Sequence, residues 1–361
     1  MPRALRLLSR KPGKKGSALG KALKFQHWHK IRRLFSKRKG ADLTAFLHTL
    51  GGRGFDVAGA PFRLLDEALS SGAVADLQQM TALAEVTRGG QPRLLRAVLS
   101  DLSGAALDDL VRDTDAHPMT RFEAMGWQVF LRRRGALPET GPAVGEVFQF
   151  WDDPTPPAEI TAGHKAWRSL GLPVAWYSEE DAADYVTQHF GADAAAQLRG
   201  LWHPALKSDL FRLYRLVQDG GLYADADSLP GPGAADFARH AGGGAWGAAM
   251  THVPKCVAIN GFLAGSAGAP VFAGFLEHVL RNLAERPVEG IFWLSGPGAL
   301  THYLWGADVS ITLLPRGVQK EALFSQFDAP YKHTERNWRV FEHGRGMGKA
   351  DGLAQLLRDV I

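Results

Sequence analysis

The sequence predicts an α/β domain with a largely parallel sheet, preceded by an all-α region and a basic N-terminal arm. From residue 146 onward, short apolar runs alternate with helical patterns, an order typical of a sheet covered by helices. Residues 41–136 instead carry apolar residues at spacings of three and four almost throughout. The first 40 residues contain 14 Lys or Arg and no acid, unlike the rest of the chain.

The basic arm, residues 1–40, gives the chain its positive net charge. Of 42 bases in the sequence, 14 lie in the arm, which leaves 28 bases against 37 acids and a net charge of −9 elsewhere. Residues 19–38 can form a helix with Trp28 and Ile31 on one side, and a basic amphipathic helix is typical of peripheral contact with an anionic membrane. A solvated basic tail is the favoured alternative. Nucleic-acid binding is not expected, because a basic patch alone is weak evidence for it.

Location is predicted from what the sequence lacks. No stretch reaches the roughly 20 apolar residues needed to cross a bilayer. The first residues lack the apolar core and cleavage site of a secretion signal, and the single cysteine, Cys256, allows no intrachain disulfide. We therefore expect a cytoplasmic protein, with the arm as its candidate contact with the inner face of the membrane.

The remaining sequence divides at a linker that contains two prolines and two glycines. Residues 41–136 are predicted to form a helical accessory region, 137–145 the linker and 146–361 the α/β domain. The first predicted elements of that domain are a strand in 146–153, a helix in 159–171, a strand in 172–178, and helices in 179–191 and 194–202.

Residues 203–229 are predicted to form a helix, a tight turn and a strand. Pro204 suits the first turn of the helix. Its buried face is marked by apolar residues at helical spacing, namely Leu206, Leu210, Leu213 and Val217. Gly220 or Gly221 is expected to end the helix in a left-handed conformation, after which "LYADAD" runs as a strand.

Four charged residues of this segment form the candidate site. Asp209 and Arg212 are three residues apart and so are neighbours on the helix surface. Asp225 and Asp227 alternate along the predicted strand, so they share one face with Tyr223. Two such carboxylates repel each other, and a hard divalent cation such as Mn²⁺ or Mg²⁺ relieves the repulsion. The alternative is a solvated acidic loop, which Asp-x-Asp spacing alone does not exclude.

The stretch "LKSDLFRLYRLVQDGGLYADAD" resembles the Asp-x-Asp segment of a family of retaining glycosyltransferases. That family includes fungal outer-chain mannosyltransferases, bacterial capsule and lipopolysaccharide sugar transferases, and the large glucosylating toxins. Its pattern is an Asp-Leu-x-Arg helix, a Gly-Gly-x-Tyr turn and then Asp-x-Asp. The matching residues here are Asp209, Arg212, Gly220, Gly221, Tyr223, Asp225 and Asp227. The resemblance covers about 146–343 and implies a GT-A-type nucleotide-diphosphosugar transferase domain with a Rossmann-like mixed sheet.

Four other segments resemble parts of the same family. They are "VFQFWDD", "AINGFLAGSAGAPVF", "WLSGPGALTHYL" and "YKHTERNWR". The resemblance implies a donor site that consists of Phe150, Trp151, Asp209, Arg212, Tyr223, Asn260, Gly296 and Trp338. It further implies metal ligands at Asp225, Asp227 and His333, with Asp209, Arg212 and the two acids nearest the reaction. Trp151 would stack on the donor base, and Trp338 would cover the diphosphate.

The function that the resemblance implies is metal-dependent transfer of a sugar with retention of configuration. The donor is expected to be a UDP-sugar first and GDP-mannose next. The acceptor is expected to be a glycan, a lipid-linked sugar or a protein, in the synthesis of cell-envelope polysaccharide. Two alternatives stay open, namely a divalent-metal hydrolase of nucleotide sugars and a non-catalytic protein that binds them.

Overall fold

The computed structural model describes residues 105–115, 118–252, 255–285 and 290–345, together with Leu353 and Leu357. The predicted basic arm and most of the predicted helical region therefore lie outside the described residues. The described part is a mixed α/β structure, as the alternation of strand and helix patterns predicts. Within it, no helix combines the length and the apolar character needed to span a bilayer.

The helices and strands follow one another in the predicted order. The main helices are α1 Ala105–Arg112, α2 Pro118–Arg133, α3 Ala158–Arg168, α4 Glu179–Phe190, α5 Ala192–Arg199, α6 Pro204–Gln218, α7 Ala234–His240, α8 Pro270–Glu285, α9 Ile291–Leu294, α10 Pro297–Gly306, α11 Arg316–Val318 and α12 Trp338–Gly344. The strands are β1 Val147–Phe150, β2 Val174–Tyr177, β3 Gly220–Ala224, β4 Ser228–Pro230, β5 Ala245–His252, β6 Lys255–Ser266, β7 Thr312–Pro315 and β8 Phe324–Gln326.

Six of the described strands form one mixed sheet in the order β2-β1-β3-β6-β5-β7. Three of the pairings, β1 with β2, β1 with β3 and β5 with β7, are parallel. The long strand β6 runs antiparallel to both of its neighbours, β3 and β5. The sheet is therefore less parallel than the strand–helix alternation alone predicts. Strands β4 and β8 form a separate antiparallel pair.

Both faces of the main sheet are buried. Along β3, Leu222 and Ala224 belong to one hydrophobic cluster, whereas Tyr223 belongs to a second cluster. Along β1, Val147 and Phe148 divide between the same two clusters. This alternation is expected for a strand that is covered on both faces.

Helix α6 begins at Pro204, as predicted, and leads through the predicted glycine turn into β3. Pro204 is its first residue, and the His203 ring caps it by accepting a hydrogen bond from the backbone N–H of Ala205 (3.0 Å). The last helical residue is Gln218, Asp219 is the C-cap, and Gly220 follows with a φ of +68°. Because a residue with a side chain rarely adopts this conformation, glycine lets the chain pass from the helix directly into β3.

Helix α2 lies against strand β6 and belongs to the core of the sheet. Trp127 and Phe130 are almost fully buried in the same cluster as the residues of α6. After α2, Arg134 forms an isolated parallel bridge with Leu313 of β7. The described end of the predicted helical region therefore contributes to the main core, while the predicted boundary at 137–145 stays a prediction.

We predict that Gly126→Ala destabilises the protein by about 1–3 kcal/mol, because a Cβ at this position would lie 1.6 Å from the Cys256 carbonyl oxygen. In a solvent-exposed helix, Gly→Ala would stabilise the protein by about 1 kcal/mol. A loss of stability therefore indicates that α2 contacts β6 at this position. Thermal and denaturant unfolding measure the effect. Gly145→Ala is the matched control, since no atom lies within 4 Å of the added methyl group. Equal stability of the two variants would contradict the packing of α2 on β6.

Candidate functional site

A cavity of about 580 Å³ opens beside the ends of β1 and β3. Trp151 follows β1 directly and Asp225 follows β3 directly, and both line the cavity. The first half of α6 and residues 324–339 supply much of the rest of its wall. Small-molecule sites are commonly about 300–1,000 Å³ in volume and often lie at the carboxyl ends of strands.

The lining of the cavity is rich in charge of both signs. Among the described residues, five carboxylates and five cations line it, namely Asp152, Asp209, Asp225, Asp227 and Asp328, with Arg212, Arg316, Lys332, Arg336 and Arg339. Such a lining suits a ligand that carries both negative groups and a metal cation better than it suits an apolar ligand.

Asp209 lies on the buried face of α6 and is only 6% exposed. Its Oδ1 accepts a hydrogen bond from Asn260 Nδ2 (2.9 Å) and pairs with Arg212 Nη2 (2.9 Å), and its Oδ2 accepts one from Ser295 Oγ (2.7 Å). Burial raises the pKa of Asp209 to about 6, although the arginine and the two hydrogen-bond donors oppose the rise. Because a carboxylate offers about four acceptor positions, Oδ2 retains one for a ligand hydroxyl.

Arg212 is fixed in place by groups of α6, β3 and β6. Its Nε donates to the Ser208 carbonyl (3.1 Å), its Nη2 to Ser208 Oγ (2.8 Å), and its Nη1 to the Asn260 carbonyl. The guanidinium lies 4.1 Å from the centre of the Tyr223 ring and 3.5 Å from Asp225 Oδ1. Most N–H groups of the guanidinium are thus bound by groups of the protein. The predicted contact of Arg212 with the nucleotide sugar stays a prediction.

The two acids after β3 lie in a turn. The strand ends at Ala224, and the Asp225 carbonyl accepts hydrogen bonds from the N–H of Ser228 (3.0 Å) and from its Oγ (2.6 Å). The prediction that "LYADAD" runs as one strand is therefore wrong for its last three residues, because these bonds close the chain into a turn. Both carboxylates nevertheless reach the same cavity.

Asp225 is held against β6 at a glycine. Its N–H donates to the Gly261 carbonyl (3.0 Å), and a Cβ at position 261 would lie 2.2 Å from Asp225 Oδ2. The carboxylate accepts hydrogen bonds from the Tyr223 hydroxyl (3.0 Å) and from Gln326 Nε2 (3.1 Å). Burial raises the pKa of Asp225 to about 6; the nearby arginine opposes this rise, and the neighbouring acids add to it.

Asp227 has two partners on a single oxygen. Its Oδ2 lies 2.6 Å from Lys332 Nζ and accepts a hydrogen bond from the Tyr331 hydroxyl (2.9 Å). Burial, with Asp227 adding to it, raises the pKa of Tyr331 well above its usual value. Tyr331 therefore stays protonated and remains a hydrogen-bond donor to the acid.

The acids fit a divalent metal only with help from a ligand. Among the described residues, no group of three or more His, Cys, Asp or Glu side chains is placed to hold a metal ion. Mg²⁺ and Mn²⁺ are commonly bound by one or two carboxylates, with waters and substrate phosphates as the other ligands. Asp227 already attracts a cation, the Lys332 ammonium. The residues therefore fit a metal ion that enters together with a diphosphate.

Aromatic side chains supply the apolar part of the cavity wall. Trp151 is 8% exposed, with the Tyr331 ring edge-on to it at 5.1 Å and the Arg336 guanidinium 5.2 Å from its centre. Its indole N–H has no hydrogen-bond partner among the described residues. Phe150 is buried beside it, and Trp338 is partly exposed at the start of α12. Stacking of a base on Trp151 would require Arg336 to move aside.

The cavity brings together ten of the eleven predicted site residues. They are Phe150, Trp151, Asp209, Arg212, Tyr223, Asp225, Asp227, Asn260, Gly296 and Trp338. His333 is not among the lining residues; its side chain is 73% exposed and lies 3.4 Å from Asp328. Successive residues of a 3₁₀ helix point in different directions, and in Pro330–His333 it is Lys332 that points at the acids.

Several residues of the site are absent from the sequence-based prediction, and four of them contact the predicted acids closely. Ser295 binds Asp209, Gly261 makes room for Asp225, and Tyr331 and Lys332 bind Asp227. The last two lie in "YKHTERNWR", a segment that the resemblance identifies, but there it indicates His333 instead. Ser295 and Gly261 have no local signal, because both reach the acids only through tertiary packing.

The chain is similar to a solved structure described as "PaToxG Glycosyltransferase", with 12% sequence identity and a TM-score of 0.32. The similarity covers 70% of this chain and 96% of that one. No family model matches the sequence, and no curated protein matches it.

We predict that Asp209→Asn reduces the loss of stability between pH 4 and pH 7. Because the pKa of Asp209 is about 6 in the folded protein and 3.8 normally, the folded state holds its proton more tightly. The stabilisation is complete below about pH 4 and is lost as the pH rises through 6. Between pH 4 and pH 7, titration of Asp209 should lower the free energy of unfolding of the unmodified protein by on the order of 1–3 kcal/mol. The variant lacks this loss.

Chemical denaturation at several pH values measures the difference between the two proteins. Asp236→Asn is the control, since that exposed carboxylate pairs with Arg239 on the surface (2.6 Å) and does not line the cavity. Curves of stability against pH that stay parallel for Asp209→Asn and the unmodified protein would contradict the prediction.

Proposed function

We propose that the chain is a metal-dependent retaining glycosyltransferase that uses a nucleotide-diphosphate sugar. The supporting observation is the cavity in which a buried Asp209–Arg212 pair faces two further acids beside an aromatic wall. The acids suit a metal ion with a diphosphate, the buried carboxylate suits a sugar hydroxyl, and the indole suits a base. We favour a UDP-sugar as donor, with GDP-mannose next.

The described side chains would share the work of binding the donor. When bound between Asp225, Asp227 and the diphosphate, Mn²⁺ or Mg²⁺ would stabilise the charge on the departing oxygen. Asp209 would accept a hydrogen bond from a donor-sugar hydroxyl at its remaining Oδ2 position. Trp151 would place the base, and Trp338 would cover the phosphates and exclude water, which competes with the acceptor.

Retention of configuration is proposed to follow from attack on the face that the diphosphate leaves. The bond from the acceptor oxygen to the anomeric carbon forms while the bond from that carbon to the phosphate oxygen breaks, and the diphosphate takes the acceptor proton. Asp209 is better suited to hold the sugar than to attack it, because hydrogen bonds and an ion pair engage both of its oxygens. The acceptor is proposed to be a glycan, a lipid-linked sugar or a protein.

The biological setting is proposed to be synthesis of cell-envelope polysaccharide in the cytoplasm. In this proposal the basic arm, residues 1–40, brings the enzyme to the anionic inner face of the membrane. Sedimentation with vesicles of anionic or neutral lipid, using the full chain and a chain from which the arm has been removed, tests that part by itself.

A panel of nucleotide sugars tests the proposed reaction. With Mn²⁺ and no acceptor, we expect slow release of nucleoside diphosphate from one donor, and we expect chelation of the metal to stop it. Release that an added glycan acceptor accelerates supports transfer, whereas release that no acceptor changes supports the hydrolase alternative. Binding of a nucleotide without any turnover supports the non-catalytic alternative. A chain that neither binds nor turns over any donor would refute the proposal.

We predict that Asp227→Asn lowers donor turnover by roughly 100-fold or more, since charge stabilisation by a metal ion is worth several kcal/mol. The variant keeps the size of the side chain and its hydrogen-bonding ability, so its fold can be compared by circular dichroism. Asp328→Asn is the matched control, because that carboxylate also lines the cavity but its side chain is 78% exposed. Equal turnover by the two variants would show that the acid at 227 does not serve the metal.

A further inference from the structure

Lys332 places a positive charge where the proposed metal ion would bind. Its ammonium lies 2.6 Å from Asp227 Oδ2, and the two side chains are only 21% and 8% exposed. The ammonium also donates to the carbonyl of Phe327. The lysine is therefore an internal counter-ion of the acid, with little solvent to weaken the attraction.

The segment that carries Lys332 is anchored by its neighbours. Tyr331 packs edge-on against Trp151 and bonds the same acid, and Arg336 pairs with Asp152 at 2.6 Å. The ammonium itself is a compact charge at the end of a flexible four-carbon stem. It can therefore move by a change of rotamer while the backbone of the segment stays in place.

We propose that Lys332 occupies the cation position at Asp227 before the donor binds, and that the incoming diphosphate then draws it away. This inference rests on the proposed function of the cavity. A metal ion and an ammonium on one carboxylate repel each other, so the lysine opposes metal binding while no nucleotide is present. A diphosphate offers the ammonium new oxygen partners and frees Asp227, so metal and nucleotide bind cooperatively through Lys332.

The contacts of the two cations explain why Lys332 would move and Arg212 would not. Arg212 is held by three hydrogen bonds, by Asp209 and by the Tyr223 ring at 4.1 Å. The Lys332 ammonium has one carboxylate, one carbonyl and a more distant ring contact, with Phe327 at 6.0 Å. Displacing the ammonium breaks its two polar contacts, which the phosphate oxygens replace, and a ring contact at the outer limit of a cation–π distance. Displacing the guanidinium would leave several buried acceptors without a donor.

The test is the affinity for Mn²⁺ alone, measured by electron paramagnetic resonance, in the unmodified protein and in Lys332→Met. We expect the variant to bind Mn²⁺ about tenfold more tightly. This is the lower end of the change in an equilibrium constant that one nearby charge causes. We further expect saturating UDP or GDP to raise the Mn²⁺ affinity of the variant by a smaller factor than that of the unmodified protein. Lys332→Arg keeps the charge and should bind Mn²⁺ alone as weakly as the unmodified protein.

The matched control is Arg336→Met, which removes one positive charge from the same segment of the cavity wall. Arg336 pairs with Asp152 and lies over the Trp151 ring, so in a measurement with Mn²⁺ alone its loss lowers the positive charge of the wall without removing the partner of Asp227. If Lys332→Met gains no more Mn²⁺ affinity than Arg336→Met, the lysine does not compete with the metal and the inference is overturned. Should Lys332→Met fail to fold, Lys332→Gln carries the same test.

The outcomes separate this inference from the proposed function. If the unmodified protein binds nucleotide with Mn²⁺ but Lys332→Met behaves like the control, the inference fails and the proposed function stands. If the unmodified protein binds neither Mn²⁺ nor a nucleoside diphosphate, both fail. If Lys332→Met alone gains affinity for Mn²⁺, the inference is supported.

Discussion

The cavity depends on keeping three carboxylates together in a poorly solvated place. Burial raises the pKa of Asp209 and of Asp225 to about 6, although Arg212 opposes the rise at both, and the neighbouring acids add to the rise at Asp225. Arg212 and Lys332 supply cations at distances of 2.6–3.5 Å. Apolar residues pack α6, β3 and β6 together, and this packing brings acids and partners from different elements into one pocket.

Backbone geometry decides where the acids meet. Gly220, with a φ of +68°, brings the chain from α6 straight into β3, so the end of the strand lies beside the helix that carries Asp209. Gly261 leaves room on β6 for the carboxylate of Asp225. At each of these positions a larger residue would strain the backbone or collide with the site. The positions of the acids therefore depend on these two glycines.

The sequence predicts what repeats along the chain and misses what depends on contacts between distant segments. The strand–helix alternation correctly predicts β1, β2 and the helices α3 to α6. The spacing of Asp209 and Arg212 correctly predicts that they are neighbours, and they form an ion pair. The strand through the acids is wrong because a serine hydroxyl closes the turn. Lys332 follows β3 by more than a hundred residues, so no local pattern connects it with Asp227.

The two cations of the cavity differ in how firmly the protein holds them. Arg212 donates to backbone and side-chain oxygens on two elements, so its charge is a constant part of the site. The Lys332 ammonium contacts one acid, one carbonyl and, at 6.0 Å, the Phe327 ring, so the proposal lets another cation and another anion take over its two polar contacts. In the proposed function, the site would admit a metal ion and a diphosphate without leaving a buried acid unpaired, because Lys332 would exchange its partners.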